Sequence, residues 1–309
     1  MTTIDLSKPR PQPDGLLDAL PRRAALTLPE LRLVADRAGG APLPFDLAAT
    51  PHGTPDLEDR LGQSRGTTED QAYETALGSL PDAETSLTRR GLIVDGIVDA
   101  GLLGAVGLLA TPTVAVDIDV AAENVQAKSW HRHSDDAVAT LSTTDGIVFE
   151  LAWFPTAAWS AELARIAVIP EDIAPRESLV PPLVDLPYEL ADAAAEAVRA
   201  SRPDLLQVLA AQHAGNVTDA AGTPYSEAET SQALGAMTSE SQGRLRVMIA
   251  DLSTETTTTV GILSWVLLAD GWHTLRPHHV DGSLRVEVRR VDAADLAAEL
   301  APVLAEVTA

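Results

Sequence analysis

His131-Arg132-His133-Ser134-Asp135-Asp136 is the segment of this chain whose residue types come nearest to doing chemistry. Two imidazoles two positions apart and a following carboxylate approach the HxHxDH pattern with which some hydrolases hold zinc. That pattern needs a closing histidine, a loop that leaves a buried strand, and further ligands later in the chain. Asp136 stands where the histidine should be, and Ala127-Lys128-Ser129-Trp130 is not an apolar strand end. His213, His273, His278 and His279 do not supply the later ligands. The segment reads as a solvated polar turn entering a strand, with a metal-dependent hydrolase built on His131 and His133 as the competing possibility.

Other candidates are weaker. Asp117 and Asp119 share one face of a strand, and paired carboxylates can serve as acid and base in glycoside hydrolysis. Two positions apart on one strand they also describe a solvated face. Gly101, Gly104 and Gly107 are spaced for close helix packing, whereas a phosphate cradle places glycines in a strand-to-helix turn. His278-His279 lacks surrounding carboxylates, and Ser264 lacks the flanking glycines of a nucleophile elbow. With no constellation for acyl, phosphoryl or hydride transfer and no cofactor fingerprint, the expectation is a chain that is not an enzyme and carries no cofactor or metal.

Composition narrows the remaining classes. The 309 residues include no cysteine, which excludes disulfides, thiolate metal sites and cysteine nucleophiles. Forty-five acidic residues against 22 basic ones give a formal charge of −23, a field that repels phosphate backbones and anionic lipid. No nucleic-acid partner is expected. No apolar run reaches the ~20 residues of a membrane helix, so membrane insertion is not expected either. Met1 to Gly15 is polar, carries three prolines and lacks the apolar core of a secretory signal, which implies a cytoplasmic location. The five tryptophans, Trp130, Trp153, Trp159, Trp265 and Trp272, lie in or beside expected strands and are read mainly as core, with one or two as partner anchors.

These residues must be positioned by both helices and strands. Residues 1–22 are Pro-rich and without periodicity, and read as a flexible arm. Thr27-Leu28-Pro29-Glu30 is a capping box opening a helix that ends at Gly39-Gly40. Residues 50–66 read as loop, 67–90 as a weak helix with Leu77, Leu80 and Leu87 inward, and 97–110 as an apolar helix. The period then changes to two: Val114, Val116, Ile118 and Val120 alternate with Ala115, Asp117 and Asp119. Further strands are expected at 137–142, 147–154 and 161–169, the first two joined across Asp145-Gly146. A Pro-rich connection over 170–187 leads to a second half with helices at 188–201, 203–213 and 226–237. Strands at 243–252, 258–268, 271–276 and 283–290 follow, then a helix at 293–307 bent by Pro302. This predicts one domain, residues 23–309, of two α+β halves, 23–170 and 188–309.

The order of several short motifs resembles the EspG family. Leu26-Thr27-Leu28-Pro29-Glu30-Leu31, Leu43-Pro44 and Leu87-Thr88-Arg89-Arg90-Gly91-Leu92 are similar to its opening. Val116-Asp117-Ile118, the strand from Arg132 to Thr140, Gly146-Ile147-Val148-Phe149, Gly243-Arg244-Leu245, Gly261-Ile262-Leu263-Ser264-Trp265 and Asp270-Gly271-Trp272 are similar to its later segments. The resemblance runs from about Arg23 to Val307. It implies a quasi-two-fold α+β fold with a central antiparallel sheet flanked by helical bundles. It also implies a cytosolic chaperone of the actinobacterial type VII (ESX) secretion system that binds a PE-PPE-like heterodimer and keeps it soluble before export. Carried onto this chain, the family's partner-binding loop falls on Ala121 to Trp130, with Glu123, Asn124 and Gln126 able to hydrogen-bond and Val125 and Trp130 able to fill an apolar cleft. Its C-terminal bundle falls on about Leu205 to Met237, with Leu234 and Met237 as contacts. Thr50 to Gly66 and the Pro-rich connection depart from the family's pattern, which leaves open another ESX substrate as partner. A scaffold role in the same secretion locus is the remaining alternative.

Overall fold

The computed structural model describes residues 21–45, 68–122, 125–171, 173–254 and 256–308. The expected arm up to Arg22, the expected loop at 50–66 and the candidate residues Glu123 and Asn124 lie outside these, apart from Pro21 and Arg22.

Strands β1 (Arg22–Thr27), β4 (Val114–Ala122), β5 (Val125–Ser134), β6 (Ala137–Thr143), β7 (Val148–Pro155), β8 (Leu183–Pro187), β9 (Gly243–Asp251), β10 (Thr258–Leu268), β11 (Gly271–Val280) and β12 (Ser283–Val291) form a ten-stranded sheet. Its order is β1-β7-β6-β5-β4-β9-β10-β11-β12-β8. A two-stranded hairpin, β2 (Ile93–Val94) and β3 (Ile97–Val98), stands apart from it. The helices are α1 (Leu28–Arg37), α2 (Thr68–Gly78), α3 (Ala83–Arg89), α4 (Ala100–Ala110), α5 (Trp159–Ile166), α6 (Tyr188–Arg199), α7 (Leu205–Gln212), α8 (Glu227–Ser239) and α9 (Asp295–Thr308). The class is α+β with a large antiparallel sheet, as the resemblance implied. The strand order reads alike from both ends: an edge strand that precedes helices, then a four-strand meander ending at β4 or β9.

The described residues form two compact units. One holds the chain up to Pro112 with His131–Leu141 and Gly146–Ala158; the other holds Thr113–Trp130, Ser142–Asp145 and everything from Trp159 onward.

In the first unit, the Thr27 hydroxyl accepts the Glu30 amide at 3.4 Å while the Glu30 carboxylate accepts the Thr27 amide at 2.8 Å, so the capping box starts α1 where the sequence placed it. Those contacts also close an exposed sheet edge. Arg90 pairs with the buried Glu30 at 3.1 Å and donates to the Ala25 carbonyl at 2.6 Å. The outward amide of Thr27 and carbonyl of Ala25 on edge strand β1 are thereby engaged, and no longer a template for another strand. The Glu30 carboxyl feels burial most, which raises its pKa. The Thr27, Ser86 and Arg90 interactions outweigh burial and hold it below the ordinary value.

In the second unit, β9, most of β4 and the end of β10 alternate between a buried and a more exposed face. Val116, Ile118, Leu245, Val247, Ile249, Trp265 and Leu267 face one side and are buried, and on that side α9 packs against β9 and β10 and also against α5. Asp281 and Gly282 both take positive φ, 49° and 81°, which fits the primed two-residue turn that their Asp-Gly pair signalled between β11 and β12.

Several sequence expectations are corrected. Residues 161–169 are not a strand: Trp159, Glu162 and Leu163 bury one face of α5, and the apparent alternation of Ala161, Leu163 and Arg165 is the chance overlap of periods two and 3.6 in a short segment. Within the expected connection, Leu183–Pro187 is strand β8, whose Val184 and Leu186 face inward. A strand, β1, precedes the first capping box. The 67–90 helix is two helices, interrupted around Pro81, with Asp82 capping the second. The apolar helix starts only at Ala100, capped by Asp99, because Ile97-Val98 pairs in the small hairpin. The loop expected from Ala121 to Trp130 is mostly strand, with β4 running to Ala122 and β5 beginning at Val125.

Candidate functional site

The most promising recess for a macromolecular partner lies in the second unit, between α6, α8 and one face of the sheet. Helix α6 buries Leu190, Ala194 and Ala197, and the small side chains of Ala191 and Ala195 keep that helix slim where it overhangs the strands. Helix α8 begins with a second capping box, Ser226 to Glu229, and buries Ala233, Leu234 and Ala236. Tyr225, just before it, donates to the Leu183 carbonyl at 3.2 Å, tying the bundle to edge strand β8. Beneath the helices, Val184, Leu186, Val286, Val288 and Leu268 complete a shared apolar core.

A groove of about 390 Å³ remains between these layers. Tyr188, Leu234 and Met237 form its helical wall, and Val266, Leu275 and Pro277 its floor. Antiparallel register extends the floor outward, because directly paired residues share a face. Ile262 pairs with Met248 and Met248 with Asp117; Ser264 pairs with Arg246 and Arg246 with Asp119. Ile262 is 65% and Met248 44% exposed, so the surface beside the groove presents two large apolar side chains flanked by charges of both signs. Large apolar groups on a solvated strand face are what an interface leaves when its partner is absent.

At the β10–β11 turn, next to Val266 in register, His273 is fully buried. Its Nε2 lies 3.7 Å from Asp270 Oδ1, too far for a hydrogen bond, and Arg290 Nη1 lies 3.5 Å from Asp270 Oδ2. Burial pushes the His273 imidazole below its ordinary pKa, with Asp270 opposing.

The residues expected to contact a partner fall into two groups. Leu234 and Met237 come together on the helical wall of the groove. Val125 and Gln126 are exposed at the start of β5, and Trp130 is half-buried further along that strand, next to β4 in the sheet order. Tyr188, Val266, Pro277, Met248 and Ile262 were missed. The signal for Met248 was available: it occupies an outward phase of Arg244-Leu245-Arg246-Val247-Met248-Ile249, where the pattern calls for a polar residue.

The zinc-like segment does not form the expected turn. His131 and His133 are buried on strand β5, at 0% and 7% exposure, and only Asp135 and Asp136 occupy a turn. Burial lowers the pKa of His133, with Asp135 and Asp136 opposing. Among the described residues no three His, Asp or Glu side chains converge as a metal site would require. Asp117 and Asp119 lie on the outward face of β4, as the alternation indicated.

The sequence matches no protein-family model and no curated protein. Its fold is shared with a solved chaperone. The Mycobacterium tuberculosis type VII secretion system chaperone EspG5, in complex with the PE25-PPE41 dimer, is similar over 92% of this chain and 96% of that chain, with a TM-score of 0.59 and 10% sequence identity. At that identity the likeness is one of fold. Among the described residues, no helix is long and apolar enough to cross a membrane.

Proposed function

We propose that this chain is a non-catalytic, cytosolic chaperone of a type VII (ESX) secretion system, and that it holds a PE-PPE-like substrate heterodimer soluble before export. The observation that carries the reading is the groove under α6 and α8 with its apolar apron of Met248 and Ile262, set in a fold that a chaperone of that class shares. The apron supplies apolar contact area, and Asp119 and Arg246 beside it can select a partner by charge. Leu234 and Met237 would line the contact. Val125, Gln126 and Trp130 would extend it along β5, together with Glu123 and Asn124.

The test is co-purification from the native host with ESX-substrate heterodimers, for the wild-type chain and for Met248→Arg. Met248 is exposed, so the charge should leave the fold intact while placing an unpaired cation in the contact, at a cost of roughly a hundredfold in affinity. Retention of a heterodimer by the wild type and its loss from Met248→Arg is the expected result. If the wild type retains no such heterodimer, the reading is wrong.

A further inference from the structure

A second cavity opens on the α9 side of the same strands; Leu275 lines both it and the groove, and Ile262 of the apron lines it too. Successive strand residues point to opposite sides, so Val266 and Ser264 face the groove while Leu263 and Trp265 face α9. Between β9–β12 and α9 this arrangement leaves a space of about 530 Å³, within the range of about 300–1,000 Å³ typical of small-molecule sites. Ile249, Leu263, Leu300 and Val303 make its walls apolar.

The polar end holds partnered carboxylates and one exposed arginine. Glu299 accepts from Trp265 Nε1 at 2.9 Å, Thr274 Oγ1 at 3.1 Å and Arg289 Nη2 at 3.0 Å. Arg289 also donates through Nε to Glu287 at 3.3 Å, and Asp295 accepts the Asp292 amide at 2.8 Å. Each carboxylate around the cavity therefore already has a donor. Arg276 lines the same space from a solvent-exposed position, stands opposite Glu287 in register, and has neither an ion pair nor a side-chain acceptor among the described residues. An exposed guanidinium thus stands beside an apolar chamber, free to exchange water for a ligand's acceptor.

We propose that this cavity binds a small amphiphile with an aliphatic body and a single carboxylate, the body lying against Ile249, Leu263 and Val303 and the carboxylate meeting Arg276. A guanidinium fork matches a carboxylate in two parallel hydrogen bonds. A dianionic phosphate head is disfavoured, because two arginines face three carboxylates at this end and the chain as a whole carries −23. The site does not depend on the groove or on the proposed chaperone role.

Isothermal titration of the full chain with decanoate tests it, with decanol as the neutral control. Saturable one-to-one binding of decanoate is expected, with decanol weaker by about tenfold or more, the value of a charge-assisted contact. Arg276→Glu should remove binding and Arg276→Lys should retain part of it. Ala298→Trp, which puts an indole into the chamber from an exposed position on α9, should abolish binding, whereas Met248→Arg should leave it unchanged. Far-ultraviolet circular dichroism and thermal melting establish that each variant is folded. No saturable heat up to millimolar decanoate would overturn the proposal. Equal affinity for decanol, binding by Arg276→Glu within twofold of wild type, or loss of binding in Met248→Arg but not in Ala298→Trp would overturn it too.

Discussion

The same substitution at two positions of α4 should have opposite effects on stability. A Cβ at Gly101 would lie 2.8 Å from Trp153 Cζ2 and 3.2 Å from Cε2, with Asp99 Oδ1 at 2.9 Å. Neither neighbour can yield cheaply. Trp153 is 8% exposed, and Asp99 Oδ1 caps the helix by accepting the amides of Gly101 at 2.8 Å and Leu102 at 3.1 Å. Overpacking costs about 1–3 kcal/mol, and a displaced cap about 1 kcal/mol more. The helical gain of alanine over glycine returns about 1 kcal/mol. Gly101→Ala should therefore lose about 1–3 kcal/mol. A Cβ at Gly107 meets nothing within 4 Å, so Gly107→Ala should gain about 0.5–1 kcal/mol. Equilibrium urea unfolding, followed by circular dichroism and tryptophan fluorescence, measures both. A neutral or stabilising Gly101→Ala, or a clearly destabilising Gly107→Ala, would refute the packing argument.

Arg90→Ala should leave the buried Glu30 without its cation and the Ala25 carbonyl without its donor; a loss of about 1–3 kcal/mol and concentration-dependent self-association in light scattering are expected. Because the Glu30 carboxyl sits below its ordinary 4.5, its stabilising contribution is present above that value and lost as pH falls through the folded value, so Glu30→Gln should be less stable than wild type at neutral pH and nearer to it in acid. His273 runs the other way: with its pKa below the ordinary 6.5, the unfolded chain takes up the proton first as pH falls through 6.5. Wild-type stability should decline there, and His273→Leu should flatten that part of the melting-temperature profile. An unchanged slope would mean the imidazole is solvated in solution.

Where one face of an element is buried and the other wet, its period is written in the residues, and so β4, β9 and β12 were legible. The capping boxes at Thr27 and Ser226 were legible as well, because Thr-x-x-Glu and Ser-x-x-Glu depend only on local chemistry. Elements that failed were short or used both faces. Helix α5 has eight residues and no cap signal, and β1 and β8 are edge strands of six and five residues whose pairing is wholly non-local. Nothing local tells Leu183-Val184-Asp185-Leu186-Pro187 that β12 will lie beside it.

The groove shows why the candidate site was harder to read than the fold. Its helical wall could be placed only through the family resemblance, which pointed to Leu234 and Met237, while its floor is distributed over β10, β11 and β12, residues as far apart as Val266 and Val288. Such a surface has no motif, since recognition by apolar area needs shape rather than a fixed set of functional groups. What sequence can supply is a violation of phase: Met248 and Ile262, directly paired across β9 and β10, both occupy positions that solvent would fill with polar residues. Two such violations in register are a stronger signal than either alone, because only the fold brings them together. That juxtaposition makes the groove and its apron, rather than the buried His131 and His133, the surface on which function should be tested first.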